Sequence, residues 1–300
     1  MNLVRCPLCE NNQLLPYRYS LKKCEHCSVI LHPDFSNPAV VEEMQNIWFG
    51  EDYEIDVGFW DRIFQNMNHK RTLARIKRHR VCEGTVLEVG VGNGSLLNFL
   101  KKRGFQVEGV DLSKALASKI GEVYGVKVFD GGLSSVSIDR KYDVIIAQHV
   151  IEHTSEPLEF LSKLKIHMHQ KSLLVVAVPN IEAWAAVLPG WVGYQPYHFI
   201  YFSEQTLTKT LERAGFKIQA MSSYESISGW VIAIIMTSRR LFSKGQAKPN
   251  QKVKKLKQNS VILSFYRGIM ILFGGISAPL RWVQSKMGKG DELVVVALQQ

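Results

Sequence analysis

The fold of this chain is decided by one stretch, Thr85-Val86-Leu87-Glu88-Val89-Gly90-Val91-Gly92-Asn93-Gly94-Ser95-Leu96-Leu97. An apolar, β-branched run reaches Glu88, breaks into three alternating glycines, and continues with apolar residues at helical spacing. This pattern predicts a strand, a sharp turn and a helix. Glycines let the backbone turn sharply and let a ligand approach it closely. The stretch therefore predicts a nucleotide-type binding site, and a turn without any ligand is the alternative.

The next predicted strand supplies a carboxylate at the spacing that such a site needs. Gln106 to Val110 is followed by Asp111, and about 20 residues separate the glycine turn from the acidic residue that holds ribose hydroxyls in βαβ units. The dinucleotide fingerprint G-x-G-x-x-G has its third glycine one residue later than Gly94. The loop therefore departs from a pyrophosphate cradle, while its pairing with Asp111 favours a ligand over an empty turn.

Strand-like runs alternate with helical stretches over residues 84–220, as a parallel, doubly wound (Rossmann-like) α/β sheet requires. About 70 residues separate the last two strands, which is too long for a plain loop, so an insertion with its own helical structure is expected at residues 229–289. The seven predicted strands are Val86–Val89, Val107–Val110, Lys127–Phe129, Val144–Ala147, Leu173–Val178, Lys217–Ser222 and Leu293–Leu298.

Two C-x-x-C pairs near the amino terminus contain Cys6, Cys9, Cys24 and Cys27. In a reducing compartment such pairs bind metal more naturally than they form disulfides. Four thiolates hold Zn²⁺ tetrahedrally and leave no open position, so the expected zinc is structural. Residues 1–36 are therefore predicted to form a zinc ribbon of two short hairpins that needs its metal to fold. His26 and His32 are alternative ligands, and Cys82 is expected to be an ordinary buried thiol.

The positive charge of the chain is concentrated in one segment. The formal net charge is +10, and eight basic residues lie between Arg239 and Lys257 with no acidic residue among them. Such a run favours phosphate-bearing partners, either an anionic membrane or nucleic acid. Apolar segments at 230–236 and 261–273 flank the run, which suits a helical hairpin in a membrane interface and makes nucleic acid the less favoured partner. A lid on the core and a homodimer seam are the alternatives.

The remaining segments predict the domain boundaries and the cellular location. Residues 37–80 are expected to be a linker followed by helices that cap the core, and the α/β domain comprises 81–228 and 290–300. Met1 to Pro16 lacks the apolar segment of a secretory signal, and no apolar run reaches the roughly 20 residues of a spanning helix. We therefore expect a cytoplasmic protein that attaches peripherally to the inner face of the membrane.

A family resemblance is carried by four segments that follow one another in order. They are the glycine loop, Asp111, Glu152-His153-x-x-x-Pro157 and Tyr197-His198-Phe199-x-Tyr201-Phe202-Ser203. Together they resemble the class I S-adenosylmethionine-dependent methyltransferases, and among these the ubiquinone-biosynthesis O-methyltransferases and their relatives encoded among surface-polysaccharide genes. The resemblance covers Val81 to Ser222, and zinc-ribbon amino termini occur in relatives that include sugar C-methyltransferases. It implies S-adenosylmethionine as the cofactor, with the glycine loop against its methionyl part and ribose.

Ligands of a doubly wound sheet bind beyond the carboxyl ends of the strands, so the residues that follow each strand are the site candidates. Asp111 is expected to hold the ribose, and Asp130 either accepts a hydrogen bond from the adenine amino group or is a plain turn residue. The predicted cofactor-binding residues are Glu88, Gly90, Gly92, Asn93, Gly94, Asp111, Leu112, Asp130 and Gln148.

Methyl transfer from a sulfonium is an in-line displacement, so the enzyme must chiefly align the reactants and exclude water. A hydroxyl acceptor also loses a proton, for which a histidine is a suitable base. His149 is the first choice, and His153 and His198 are the second, although His153 could equally serve to hydrogen-bond the loop. An aromatic wall for the acceptor, or simple loop packing, is expected from Trp184, Trp191, Tyr194 and Tyr197.

The predicted activity is methyl transfer to a hydroxyl of a small molecule, quinone-like or sugar, that is lipid-linked or membrane-borne. Methylation of ribosomal or transfer RNA is one alternative, because zinc ribbons with basic flanks occur in RNA methyltransferases. A non-catalytic binding protein with a methyltransferase fold is the other, and the intact glycines and Asp111 argue against it. The sequence does not predict the acceptor's identity or the oligomeric state.

Overall fold

A computed structural model describes residues 5–37, 39–40, 58–195, 197–242 and 273–300 of the chain. Its elements follow one another as β1 (Leu14–Pro16), β2 (Lys22–Cys24), β3 (Ile30–Leu31), α1 (Phe59–Arg78), β4 (Thr85–Val89), α2 (Ser95–Lys101), β5 (Gln106–Asp111), α3 (Lys114–Tyr124), β6 (Lys127–Asp130), β7 (Tyr142–Gln148), α4 (Pro157–Ile166), β8 (Met168–Pro179), β9 (Ile200–Tyr201), α5 (Glu204–Arg213), β10 (Phe216–Tyr224), α6 (Gly229–Phe242), α7 (Ala278–Lys286) and β11 (Glu292–Gln299).

The main sheet has seven strands in the order β10-β11-β8-β7-β4-β5-β6. Its pairs from β8 to β6 are parallel, whereas β11 runs antiparallel to both β8 and β10. Successive residues of a strand point to opposite faces, and both faces are buried here: Ile145 and Ala147 belong to one hydrophobic cluster, Val144 and Ile146 to another. The predicted doubly wound, seven-stranded sheet is confirmed.

Strand β8 is longer than its apolar pattern predicts. It begins at Met168, which pairs with Tyr142 of β7, whereas the predicted strand begins at Leu173. The additional residues His169, Gln170 and Lys171 are polar and exposed. Apolar periodicity reports which side chains are buried, and it does not report backbone pairing, so an exposed strand end is missed.

The amino-terminal segment forms a second, smaller sheet in the order β1-β2-β3-β9, with all neighbours antiparallel. The ribbon strands therefore gain a fourth strand, β9, from the α/β domain. Buried Leu31 and Phe35 belong to the same hydrophobic cluster as Phe199 and Phe202. The cysteine-containing segment, which we call the ribbon (residues 5–37), thus shares a core with the α/β domain.

Helices α6 and α7 lie between β10 and β11. Ala233 of α6 is buried in a cluster with Ala186 and Trp191, so one face of α6 packs on the segment that follows β8. Residues 243–272, which include the predicted lysine-rich run and nearly all of the second apolar segment, lie outside the described residues. Among the helices that are described, none combines the length and apolarity that crossing a membrane requires.

The prediction that Cys82 is buried is wrong, because its side chain is exposed. Cys82 precedes β4 by three positions and lies in the connection from α1. The burial of the apolar core strand does not extend to this connecting residue.

Candidate active site

The glycine loop joins β4 to α2 with three left-handed residues. The φ angles of Gly90, Gly92 and Gly94 are +73°, +52° and +70°. A Cβ atom on Gly90 would lie 2.7 Å from Cγ2 of Val150, and one on Gly94 would lie 2.7 Å from Cγ2 of Ile120. Both the backbone conformation and the available space therefore require glycine at 90 and 94.

Two buried carboxylates flank the loop. Asp111 accepts hydrogen bonds from the amides of Val91 (3.1 Å, Oδ2) and Ser113 (2.9 Å, Oδ1), so it ties the loop to the end of β5. Glu88 is only 6% exposed, and its Oε2 has no hydrogen-bond partner among the described residues. Burial, assisted by the nearby charge of Asp111, raises the pKa of Glu88 to about 8. A buried acceptor without a partner fits a site that receives a donor group from a ligand.

Asn93 connects the loop to helix α1. Its Oδ1 accepts hydrogen bonds from the amide (3.2 Å) and hydroxyl (2.7 Å) of Ser95, and its Nδ2 donates to Oε1 of Gln65 (3.3 Å). His69 lies with Nε2 at 3.0 Å from the Ser95 hydroxyl. Burial, with a smaller contribution from Arg103, lowers the pKa of His69 to about 4. Helix α1 therefore lies across the loop with a neutral, polar face.

The polar face of α1 also reaches β7. Gln148 donates from Nε2 to Oγ1 of Thr72 at 3.1 Å. The residues Gln65, His69 and Thr72 have helical spacing and were not predicted as part of the site. Their signal in the sequence is a polar stripe on a helix predicted only to cap the core.

The two other predicted cofactor residues lie at the neighbouring strand ends. Asp130 ends β6 in register with Asp111, and the amide of Gly131 donates to the Asp111 carbonyl at 3.1 Å. Leu112 and Asp130 are both exposed. The sheet thus brings the predicted cofactor residues to one edge, and their roles stay predictions.

His149 turns sharply out of β7 and is held between two carboxylates. Its φ is +55°, and its half-exposed side chain lies with Nε2 at 2.9 Å from Glu292 and Nδ1 at 3.3 Å from Glu152. Desolvation disfavours the charged ring, but the close carboxylates of Glu152 and Glu292 outweigh it and raise the pKa of His149 to about 10. His149 is therefore protonated at neutral pH, which does not suit a general base.

The two other histidines lie beside the buried Glu152. The rings of His153 and His198 are 4.8 Å apart, and their ligand atoms lie within 4.8 Å of a Glu152 carboxylate oxygen and of one another. Nδ1 of His153 lies 2.9 Å from the Tyr197 carbonyl, and Nδ1 of His198 lies 2.7 Å from the Gly193 carbonyl. Burial lowers the pKa of His198 to about 4, although the charge of Glu152 opposes this. His198 is therefore neutral and weakly basic.

A cavity of about 430 Å³ opens between these histidines and the start of β11. Sequence reasoning missed the contribution of Asp291 and Glu292, which precede and begin an antiparallel strand and therefore lie at the edge where the parallel strands end. None of the described lining residues is Lys or Arg. The lining residues are Asn68, His149, His153, Pro179, Trp191, Val192, Gly193, Gln195, Tyr197, His198, Tyr224, Ser226, Asp291 and Glu292.

The predicted aromatic wall is formed in part. Trp191 and Tyr197 line the cavity. Trp184 instead stacks on Trp230 with ring centroids 6.2 Å apart, and Tyr194 packs edge-on against Trp191 at 4.9 Å. Packing of the loop therefore accounts for Trp184 and Tyr194.

The four ribbon cysteines converge away from this cavity. Sγ of Cys6 is 3.5 Å from that of Cys27, Sγ of Cys9 is 3.5 Å from that of Cys24, and all four sulfurs lie within 4.8 Å of one another. Tetrahedral zinc with Zn–S bonds of about 2.3 Å separates its sulfurs by about 3.8 Å. The donor set fits such an ion. The group contains neither His26 nor His32.

The comparisons with known proteins agree with this geometry. The profile of a family described as "Methyltransferase domain" matches residues 60–221. A ubiquinone biosynthesis O-methyltransferase of Rickettsia bellii is 24% identical over 196 residues, which are 60% of this chain and 80% of that protein. An uncharacterised methyltransferase of Alkaliphilus oremlandii is 29% identical over 104 residues, 34% of this chain and 48% of that protein.

Among solved structures, one from Galdieria sulphuraria assigned as a sarcosine dimethylglycine methyltransferase has a TM-score of 0.52 at 12% identity, covering 87% of this chain and 98% of that one. A methyltransferase dependent on S-adenosylmethionine from Archaeoglobus fulgidus has a TM-score of 0.47 at 18% identity and covers 81% of this chain and all of that one. The first of these likenesses supports the fold.

Proposed function

Because the chain belongs to the class I S-adenosylmethionine-dependent methyltransferases, we propose that it methylates a hydroxyl group of a small, quinone-like or sugar acceptor that is lipid-linked or membrane-borne. The observation that carries the proposal is the cavity of about 430 Å³ beside the predicted cofactor edge. Its aromatic faces suit a ring, and its Asn, Gln, Asp and Glu side chains suit hydroxyl groups. The absence of Lys and Arg from its described lining argues for an acceptor that is not anionic at the reacting ring.

The residues around the glycine loop are proposed to hold the cofactor. Asp111 accepts hydrogen bonds from ribose hydroxyls, and the unpartnered oxygen of Glu88 accepts one from a donor group of the cofactor. Asn93 and Gln148, which are tied to α1, orient the loop and the end of β7. S-adenosylmethionine supplies a methyl group on a sulfonium, which leaves the protein to align the acceptor and to exclude water.

Of the three histidines, His153 is the proposed base. Its Nδ1 faces the Tyr197 carbonyl, which favours the tautomer that carries the proton on Nδ1 and the lone pair on Nε2. The acceptor's hydroxyl proton then passes to Nε2. His198 packs against His153, and protonated His149 pairs with Glu292 at the wall of the cavity and with the buried Glu152.

The ribbon is proposed to bind one structural Zn²⁺ through Cys6, Cys9, Cys24 and Cys27. The convergence of the four sulfurs supports this assignment, and a site closed by four thiolates has no position left for catalysis.

The insertion is proposed to attach the protein to an anionic membrane surface. Exposed apolar side chains of α6, such as Ile234 and Leu241, lie near Arg239 and Arg240. Such a helix inserts its apolar face at the interface and leaves its cations among the lipid headgroups. A lid over the cavity and a dimer seam remain the competing roles for these helices.

The test is incubation of the protein with S-adenosylmethionine carrying a labelled methyl group and with cell extract separated into lipid, glycan and RNA fractions. Label is expected in the lipid or glycan fraction, and a Glu88→Gln/Asp111→Asn variant is the inactive control. Label that enters only RNA would overturn the proposed acceptor class. Absence of transfer together with absence of cofactor binding would favour a non-catalytic protein.

A further inference from the structure

The wall of the cavity that contains Trp191 and His198 lies on the segment from Asn180 to Phe202, and the ribbon holds both ends of this segment. At its carboxyl end, β9 pairs with β3 through Ile30 with Tyr201 and Leu31 with Ile200. The amide of His32 also donates to the Phe199 carbonyl at 2.9 Å. His198 therefore lies two positions before a strand whose partner is a ribbon strand.

The ribbon also holds the amino-terminal half of this segment, through the turn Arg18–Ser20. Nη2 of Arg18 donates to the Ile181 carbonyl at 3.1 Å, and the Tyr19 hydroxyl donates to the Val187 carbonyl at 2.6 Å. The Tyr19 ring lies edge-on to Tyr194, at 5.0 Å between centroids. Tyr194 in turn packs against Trp191, which lines the cavity.

Tyr19 adopts this position at a conformational cost. Its φ is +58°, a left-handed conformation that an aromatic residue rarely takes, and its side chain is 43% exposed. Burial in the core therefore does not explain the conformation, whereas the hydrogen bond and the ring contact to the wall segment do.

The cysteine cluster includes the last residue of β2, the strand that pairs with β3 and thus supports the β3–β9 pair. Cys24 ends β2, and its amide donates to the Val29 carbonyl at 2.9 Å, which closes the turn into β3. A metal ion bound by the four thiolates would fix this turn and the β2–β3 pair, and β3 holds β9.

We propose that the ribbon is a positioning element for the acceptor wall: its metal fixes β2 and β3, and these strands together with Arg18 and Tyr19 hold Trp191 and His198 in place. This inference rests on the proposed function, which assigns the cavity to the acceptor and zinc to the thiolates. Among the described residues, strand pairing and hydrogen bonds join the ribbon to the wall segment, and none joins it to the cofactor loop, so we expect the ribbon to act mainly on the acceptor side.

The first experiment compares hydrogen exchange of the zinc-loaded chain before and after extraction of the metal with a chelator, with zinc content measured in parallel. Exchange within residues 186–202 is expected to rise about tenfold or more, as for loss of a local pairing, while β4 and β5 stay protected and S-adenosylmethionine binds with unchanged affinity. An equal rise over β4 and β5 would reduce the ribbon to a general stabilising role. An unchanged segment 186–202 would overturn the proposal.

The second experiment tests the side-chain contacts without touching the metal. An Arg18→Ala/Tyr19→Phe variant is expected to increase exchange within 181–194 while zinc content, melting temperature and cofactor affinity are unchanged. Lys23→Ala, an exposed substitution on β2, is the matched control. No difference between the variant and this control would contradict the positioning role. Because these variants need no chelation, a chain found to hold no zinc would refute only the metal assignment.

Discussion

Asp111 carries the clearest residue-level prediction for the cofactor. Its two oxygens accept hydrogen bonds from backbone amides of the loop and of the next turn. In the proposed ribose contact, the same charged oxygens accept further hydrogen bonds from the ribose hydroxyls. Asp111→Asn should weaken S-adenosylmethionine binding by about 1.5–3 kcal/mol, or roughly 10- to 150-fold, because hydrogen bonds to a charged group contribute that much. Calorimetric titration measures the change, with the exposed Asp139→Asn as control. Unchanged affinity would remove the ribose assignment.

His153 carries the prediction for the base. His153→Gln should lower the rate of methyl transfer by about 10²-fold or more, as expected for loss of general base catalysis, with cofactor affinity unchanged. Single-turnover transfer to the acceptor identified by labelling measures this. His149→Gln serves as the comparison, and a larger loss there than at His153 would return the base to His149.

His149 also predicts how stability depends on pH. Its folded-state pKa of about 10 lies above the ordinary value of 6.5, so its charge stabilises the fold fully below pH 6.5, and this contribution is lost as the pH rises through about 10. The free energy of unfolding should therefore fall as the pH rises over this interval, with a slope that corresponds to a difference of up to one bound proton between the folded and unfolded states. His149→Gln should reduce the slope of the free energy of unfolding against pH, which denaturant titrations at a series of pH values measure. Identical slopes for both proteins would contradict the paired state of His149.

At the scale of elements, the proposed zinc site predicts that the ribbon depends on its buried cysteines. Cys24 is fully buried among the four sulfurs, whereas Cys82 is exposed and distant in sequence from them. Cys24→Ser should reduce bound zinc from about one ion per chain to far less and lower the melting temperature, because a structural zinc site supplies folding free energy. Elemental analysis and thermal unfolding measure both effects. Cys82→Ser should retain zinc, and equal zinc loss in the two variants would refute the assignment.

Strands whose apolar pattern lies within their own residues are predicted from the sequence, whereas a strand that depends on a distant partner is not. The apolar pattern of Val86, Leu87 and Val89 predicts a strand, and these three side chains are buried in the structure. The two residues of β9 form a strand only because β3 supplies a partner 169 positions earlier in the register of Leu31 with Ile200. No window of sequence around Ile200 contains that information.

For the whole molecule, the insertion predicts attachment to membranes. Ile234 and Leu241, 56% and 74% exposed, are seven residues apart and therefore on one face of α6. Ile234→Asp/Leu241→Asp should weaken binding to phosphatidylglycerol vesicles, and added salt should weaken the binding of the unmodified chain. Vesicle co-sedimentation measures this, with the comparably exposed Ile138→Asp as control. Equal binding by both variants would remove α6 from the membrane surface.

The sequence by itself determined the sheet, the glycine loop and the group of four cysteines that we propose to bind zinc. Burial on both faces requires continuous apolar strands, a tight turn requires glycine at positions 90 and 94, and a thiolate site requires closely spaced cysteine pairs. Each of these requirements is met by residues that are close in sequence, so each can be predicted from a local sequence pattern.

Only the tertiary structure decided the charge states in the cavity and the partner of β9. His149 is protonated because Glu292 approaches it from 143 positions away, and this contact exists because β11 runs antiparallel and begins where β7 ends. A pKa depends on charges and burial in three dimensions. In the sequence, a histidine that follows a strand is equally compatible with a general base and with a fixed cation. Glu292, at the start of the antiparallel last strand, makes His149 a fixed cation.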